Sequence, residues 1–113
     1  MTPDDIKKML EFALGYIVKY IPAWAQPMVK TAIDQVLPGV ISQLIGPLTP
    51  ADIISKGFDL LLLGMTGHPF AKLALESVKN VLIKQIQVIL AAHASEGQFF
   101  RAEPVTITIY PEG

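Results

Sequence analysis

The chain has 113 residues, and nine lysines and arginines stand against ten aspartates and glutamates, so the formal net charge is −1. Hydrophobic residues make up 51% and charged residues 17%, whereas about 25% of an average soluble domain is charged. This balance excludes a disordered charged tail and disfavours nucleic-acid binding, which usually requires a basic patch. Cysteine is absent, so disulfide scaffolds and thiolate metal sites are excluded.

The first predicted helix covers residues 3–21. Thr2 is a favourable N-cap, Pro3 suits the first helical position, and Asp5 stands where a capping box places its acidic residue. Apolar residues recur at steps of three and four along this range, as on the buried face of a helix. Pro22 marks the end of the helix, because proline cannot continue it without a kink.

The second helix is predicted to begin near residue 23 or 27. It is expected to break at Pro38-Gly39, because an internal proline removes a hydrogen bond and clashes with the preceding turn. Trp24 lies in an aromatic-rich N-terminal third of the chain. An exposed tryptophan suits a membrane surface, but the lysines are few and balanced by acids, so a core or protein interface is the favoured interpretation.

The third helix is predicted over about residues 50–63, with Gly64 as its C-cap. Thr49-Pro50-Ala51-Asp52 has the same helix-start pattern as residues 2–5, at an offset of 47. This repetition suggests two similar helical hairpins, although the pattern is also a common helix start in its own right. The leucines at 60–63 cover every direction around the helix, which indicates burial or contact with a partner.

Asp59 is the acidic residue with the most apolar surroundings in the sequence. If it were buried, it would need a partner such as Lys56, Lys19 or Lys84, because an unpaired buried charge is costly. The favoured alternative is an exposed position on the line formed by Asp52, Lys56 and Asp59. A catalytic pair of carboxylates would require a second acid and a cleft, and the sequence indicates neither.

The fourth helix is predicted as one uninterrupted helix over residues 69–95, with His68 before its first turn. Its polar face disappears after Gln87, where small and apolar residues follow. His93 lies on the apolar stripe near the C-terminus of the helix, so it is expected to be a packed or capping histidine. The sequence contains no spacing of histidines and acids typical of a metal site.

The C-terminal residues 105–110 alternate between two faces, as in a β-strand. Val105, Ile107 and Ile109 share one face, and Tyr110 lies on the other. A strand needs partners for its backbone groups, and no second convincing strand is apparent in the chain. The sequence therefore predicts pairing with another molecule, the alternative being a loosely packed tail.

The predicted fold is mainly α: a small bundle of four to five helices arranged as two hairpins over residues 1–97, followed by an extended β arm over residues 98–113. No signal peptide or transmembrane helix is apparent, which predicts a cytoplasmic location or one within an assembled particle. The Gly64–Gly67 turn matches a GxxG nucleic-acid loop, but it is neutral and lies between helices. No nucleic acid, cofactor or small-molecule substrate is expected.

These features predict a non-enzymatic assembly protein, a subunit of a homo- or hetero-oligomer such as those of virions and other large particles. The alternative is a membrane-associated or membrane-active helical protein. No metal or catalytic residue is predicted. The residues expected to contact a partner are Val105, Ile107, Ile109, Tyr110, Leu61, Leu62, Ile89, Leu90 and Trp24.

Overall fold

The computed structural model describes residues 2–95 and 107–109. These residues form α1 (Pro3–Val18), α2 (Gln26–Gln43), β1 (Gly46–Leu48), α3 (Pro50–Gly64), α4 (Pro69–Ser77), α5 (Lys79–Ser95) and β2 (Ile107–Ile109). The prediction of a mainly helical chain is confirmed.

Two helices begin with the same capping box, as their sequences predict. The Thr2 hydroxyl accepts a hydrogen bond from the Asp5 backbone N–H at 3.2 Å, and the Asp5 carboxylate accepts one from the Thr2 N–H at 3.1 Å. Thr49 and Asp52 form the equivalent pair at the start of α3. Each box satisfies two backbone donors that the helix itself leaves without partners.

The predicted break at Pro38 is wrong, because α2 continues through this proline to Gln43. Pro38 and Gly39 lie on the exposed side of the helix, while Leu37 and Val40 are buried. The apolar face therefore continues across the proline. We attribute the persistence of the helix to this packing, which outweighs the loss of one backbone donor.

The single helix predicted over residues 69–95 is divided at Val78, which ends α4 and precedes α5. The Ser77 hydroxyl donates to the carbonyl oxygen of Ala74, a local bond that competes with regular helix geometry. Val78 itself is buried. α5 begins directly after it, at Lys79.

The described part of the C-terminal segment has a partner strand within the same chain. β2 pairs antiparallel with β1, with Leu48 opposite Ile107 and Gly46 opposite Ile109. The expectation that the chain lacks a second strand is corrected by this pairing. The sequence does not predict β1, because this strand is only three residues long and contains glycine and proline, which are depleted in strands.

One hydrophobic core joins all five helices. α1 contacts α5 and α3 as well as α2, and α2 contacts α3 and α4. The largest side chains that are fully buried are Ile6, Met9, Ile17, Leu44, Ile53, Ile54, Leu61, Met65, Leu75, Leu82, Ile89 and Leu90.

Two glycines of α3 allow neighbouring helices to approach closely. A Cβ atom at Gly57 would lie 2.6 Å from Cδ2 of Leu10 in α1, and one at Gly64 would lie 2.5 Å from Cγ1 of Val36 in α2. Real Cβ atoms do not tolerate such distances, so a larger residue at either position would displace its neighbour.

We expect alanine substitutions at two helical glycines to have opposite effects on the free energy of unfolding. Gly15→Ala should raise it by about 0.5–1 kcal/mol, because a Cβ there meets nothing within 4 Å and alanine is the better helix former. Gly57→Ala should lower it, because the buried Leu10 side chain must shift at a cost of about 1–3 kcal/mol, which outweighs the same gain in helix propensity of about 1 kcal/mol or less. Urea unfolding monitored by far-UV circular dichroism measures both changes. If the two substitutions changed the free energy of unfolding in the same direction, the close packing of Gly57 against Leu10 would be contradicted.

Candidate functional site

The described residues contain no group of three or more histidines and acids placed to hold a metal ion. His93 is 4% exposed, and its ring packs against Phe12 with 4.9 Å between ring centroids. The prediction of a packed histidine is therefore confirmed. Among the helices described, none is long and apolar enough to cross a membrane.

Asp59 lies at the surface, as the favoured interpretation predicts. Its carboxylate forms an ion pair with the Lys79 ammonium at 3.2 Å, and the two side chains are 52% and 45% exposed. Lys79, the first residue of α5, was not among the expected partners. An exposed pair of this kind contributes at most about 1 kcal/mol, and it does not form a reactive site.

Four of the residues expected to contact a partner lie in the core. Leu61, Leu62, Ile89 and Leu90 are each 8% exposed or less. Such side chains have no free surface to offer, because the chain's own helices already cover them. The expectation that they contact another subunit is corrected accordingly.

The other predicted contact residues are differently placed. Trp24 is 80% exposed, in the connection between α1 and α2. Ile107 and Ile109 belong to β2. Val105 and Tyr110 lie outside the described residues.

Three large apolar side chains are exposed around the connection between α3 and α4. Leu63 is 70% exposed, Phe70 is 73% exposed and Leu73 is 66% exposed. Only Met65–His68 separate the two helices, so Leu63 precedes this connection and Phe70 and Leu73 follow it. We call this set, Leu63, Phe70 and Leu73, the α3–α4 corner.

The outer face of α4 is unusually apolar. Ala71 and Leu75 are buried against the core, while Phe70 and Leu73, one turn apart, point away from it. A helix packed on a core normally has polar residues on its outer face. The apolar stripe that predicts the inward face does not include Phe70 and Leu73, and the signal for them is their spacing of three on the opposite side of the helix.

A second exposed group lies where α1 leads into α2. Tyr20 is 51% exposed, Trp24 is 80% exposed and Met28 is 38% exposed. The Lys19 ammonium stands 4.0 Å from the centroid of the Tyr16 ring, a cation–π arrangement. We call Tyr20, Trp24 and Met28 the aromatic corner.

A groove runs between α1 and α2. It consists of two adjoining cavities of about 520 and 240 Å³, and both are lined by Glu11 and Asp34. We call it the α1–α2 groove. Its apolar lining residues are Pro3, Leu14, Val18, Ile33, Leu37, Pro38 and Ile41, and Asp4, Lys7 and Lys30 are charged residues that also line it.

No family model, curated protein or solved structure matches this chain. Within residues 2–95, the α3–α4 corner, the aromatic corner and the α1–α2 groove are open to a functional interpretation; Ile45, Ile83 and Val88 are also exposed there.

Proposed function

We propose that this protein is a non-enzymatic assembly protein, a subunit of an oligomer whose contacts use exposed apolar helix surfaces. The observation that carries the proposal is the α3–α4 corner, where three large apolar side chains are each about two-thirds exposed or more while the same helices bury their other faces. Phe70 and Leu73 are neighbours on the surface of α4, since residues three apart on a helix face each other, and adjacent exposed apolar groups are typical of protein interaction sites.

The energy available at the α3–α4 corner is moderate. Full burial of a leucine or phenylalanine side chain contributes about 1.5–3 kcal/mol, so the three residues together supply about 5–9 kcal/mol at most. Association of two proteins costs about 4 kcal/mol or more in lost freedom of motion. The corner would therefore anchor an interface that also needs contacts elsewhere, and assembly would depend on protein concentration.

The C-terminal segment is a second contact in this proposal. Among the described residues, β1 and β2 pair over three positions, and a pair of strands of this length is marginal on its own. The β arm predicted over residues 98–113 would extend this pairing to a neighbouring subunit.

Replacement of Ile107 by proline tests the arm. We expect weaker assembly with nearly unchanged helix content, because proline removes one backbone donor from the strand without changing the helices. Sedimentation velocity and far-UV circular dichroism of the variant provide the two readouts. If the variant assembled as strongly as the wild type, a contact between the arm and a neighbouring subunit would be contradicted.

A membrane-associated role is the alternative, and the aromatic corner is the observation that favours it. Tryptophan and tyrosine beside lysine suit the boundary between lipid and water. Trp24 is the sole tryptophan of the chain, so its fluorescence reports directly on this surface.

Two measurements separate the proposed function from the alternative. For an assembly protein, sedimentation velocity without detergent should give a mass above the 12.3 kDa of one chain, and vesicles of neutral and anionic phospholipid should leave Trp24 emission unchanged. For a membrane protein, the vesicles should shift the emission to shorter wavelength and carry the chain into the pellet. A chain that sediments as a monomer and does not bind the vesicles would contradict both roles.

A further inference from the structure

We infer that two copies of the chain associate about a two-fold axis, with Leu63 of each copy lying against a groove between α2 and α3 of the other. The inference rests on the proposed assembly function and names the surface that receives Leu63 of the α3–α4 corner. We call this surface the α2–α3 groove. Its cavity of about 380 Å³ is lined by Gln35, Val36, Gly39, Val40, Gln43, Leu60, Leu63 and Gly64.

The α2–α3 groove and the side chain that projects beside it belong to the same face of the molecule. Leu63 lines the groove and is 70% exposed, so most of its side chain projects from the rim into solvent. Gly39, on the α2 side of the groove, has no side chain, and a Cβ there would meet no atom within 4 Å. A two-fold contact requires a projection and an open recess on one face, because it joins the same patch of both copies.

Part of the apolar lining of this groove is open to a partner. Val36 and Leu60 are half-buried, so each keeps some apolar surface that packing within the chain does not cover. Val40, by contrast, is 1% exposed and offers no contact surface. Leu63 of a second copy would cover the open surface of Val36 and Leu60 and would itself be removed from water, which favours association.

The lining of the α2–α3 groove, which lies wholly within the described residues, contains no charged side chain. Asp34 lines the α1–α2 groove instead, and Asp59 pairs with Lys79 of α5. Lys56, one turn before Leu60 on α3, is exposed but lies outside the lining. A two-fold contact brings together the same surface from both copies, so a charged lining would place like charges near each other. The uncharged lining avoids this cost.

The polar side chains that line the α2–α3 groove are glutamines, which suit a contact between identical surfaces. Gln35 and Gln43 are both exposed there. A glutamine amide carries donors and an acceptor, so glutamines from two copies can hydrogen-bond to each other, which two ammonium groups or two ionised carboxylates cannot do. The occupant that these residues favour is therefore a second copy of the chain.

A side chain that fills the groove tests the inference. Gly39→Leu should weaken self-association by about tenfold or more, because the added side chain would occupy the space that Leu63 of the second copy enters. The monomer should remain folded, since a Cβ at position 39 meets no atom within 4 Å and leucine is a better helix former than glycine. Sedimentation velocity over a range of concentrations measures association, and far-UV circular dichroism verifies the fold.

Gly15→Leu is the matched control for this variant. Gly15 is also a helical glycine where a Cβ would meet no atom within 4 Å, but it lines the smaller cavity of the α1–α2 groove. The same apolar side chain is added, and association should stay close to that of the wild type. Equal losses in the two variants, or a Gly39→Leu variant that associates as strongly as the wild type, would contradict docking in the α2–α3 groove.

Variants of opposite charge test the two-fold symmetry. Gln35→Glu with Gln43→Glu gives an acidic groove, and Gln35→Lys with Gln43→Lys gives a basic groove. Each variant alone should sediment as a monomer at concentrations where the wild type associates, because like charges would meet across the axis. An equimolar mixture should form a one-to-one heterodimer and stop there, because a two-fold contact uses the same patch on both copies.

The results that overturn the inference differ from those that overturn the proposed function. If the wild type associates but the mixture associates no better than each variant alone, the copies do not meet groove to groove. A wild-type chain that remains monomeric at every concentration would instead contradict the assembly function itself.

Discussion

Replacing Leu61 with alanine should lower the free energy of unfolding by about 2–5 kcal/mol, the range for leucines removed from a core. Leu61 is 1% exposed and lies beside Phe58 and Leu82 in the centre of the bundle. The substitution would leave a cavity that these neighbours fill only partly. Because small domains have a total stability of only about 5–15 kcal/mol, this is a large fraction of what holds the fold together.

Leu63→Ala is the matched control, since it is the same substitution two residues further along α3. Leu63 is 70% exposed, so we expect a change within about 0.5 kcal/mol. Urea unfolding at a protein concentration that keeps the chain monomeric measures both variants. Similar losses of stability for the two variants would contradict the orientation of α3.

The second large effect is expected on self-association. Phe70→Glu combined with Leu73→Glu should weaken it by about a hundredfold or more, because two buried apolar side chains contribute at least about 3 kcal/mol and two carboxylates would be desolvated. The stability of the monomer should change little, since both side chains are exposed. Sedimentation velocity over a wide concentration range measures the effect.

The matched control for this variant is Asn80→Glu with Gln87→Glu. It adds the same two negative charges at exposed positions of α5, away from the α3–α4 corner. Association should then remain close to that of the wild type. An equal loss in both variants would indicate that net charge, and not the corner, governs association.

The helix starts could be predicted from the sequence because they depend on neighbouring residues alone. Thr2 with Asp5 and Thr49 with Asp52 form their capping boxes within one turn of helix, as the spacing predicts. The division of the last helix at Val78 and the continuation of α2 through Pro38 depend on packing between helices. Local pattern carries no information on such contacts, so these two features were predicted wrongly.

At the candidate site, too, local pattern does not predict packing between helices, as the leucines at 60–63 show. Four consecutive leucines have no periodicity, so the sequence predicts burial or contact with a partner without telling which leucine does which. Packing of α3 against α1, α2 and α5 places Leu61 and Leu62 inside and Leu63 outside. The exposed position of Phe70 follows from the inward orientation of Ala71 and Leu75, which a helical plot centred on that stripe would have revealed.

The partner of the C-terminal strand was not predicted for a different reason. Gly46-Pro47-Leu48 has the composition of a turn, and the strand alternation over residues 105–110 has no counterpart there. The pairing of Pro47 with Thr108 could therefore be known only from the fold.

The central claim is that the α3–α4 corner becomes covered when copies of the chain meet. The absence of cysteine allows a direct measurement with Leu63→Cys, which leaves Phe70 and Leu73 intact, and with Lys84→Cys as the control. As protein concentration rises, the rate of thiol alkylation at position 63 should fall in proportion to the associated fraction, while the rate at position 84 stays constant. Equal rates at position 63 in dilute and concentrated protein, under conditions where sedimentation shows association, would contradict the claim.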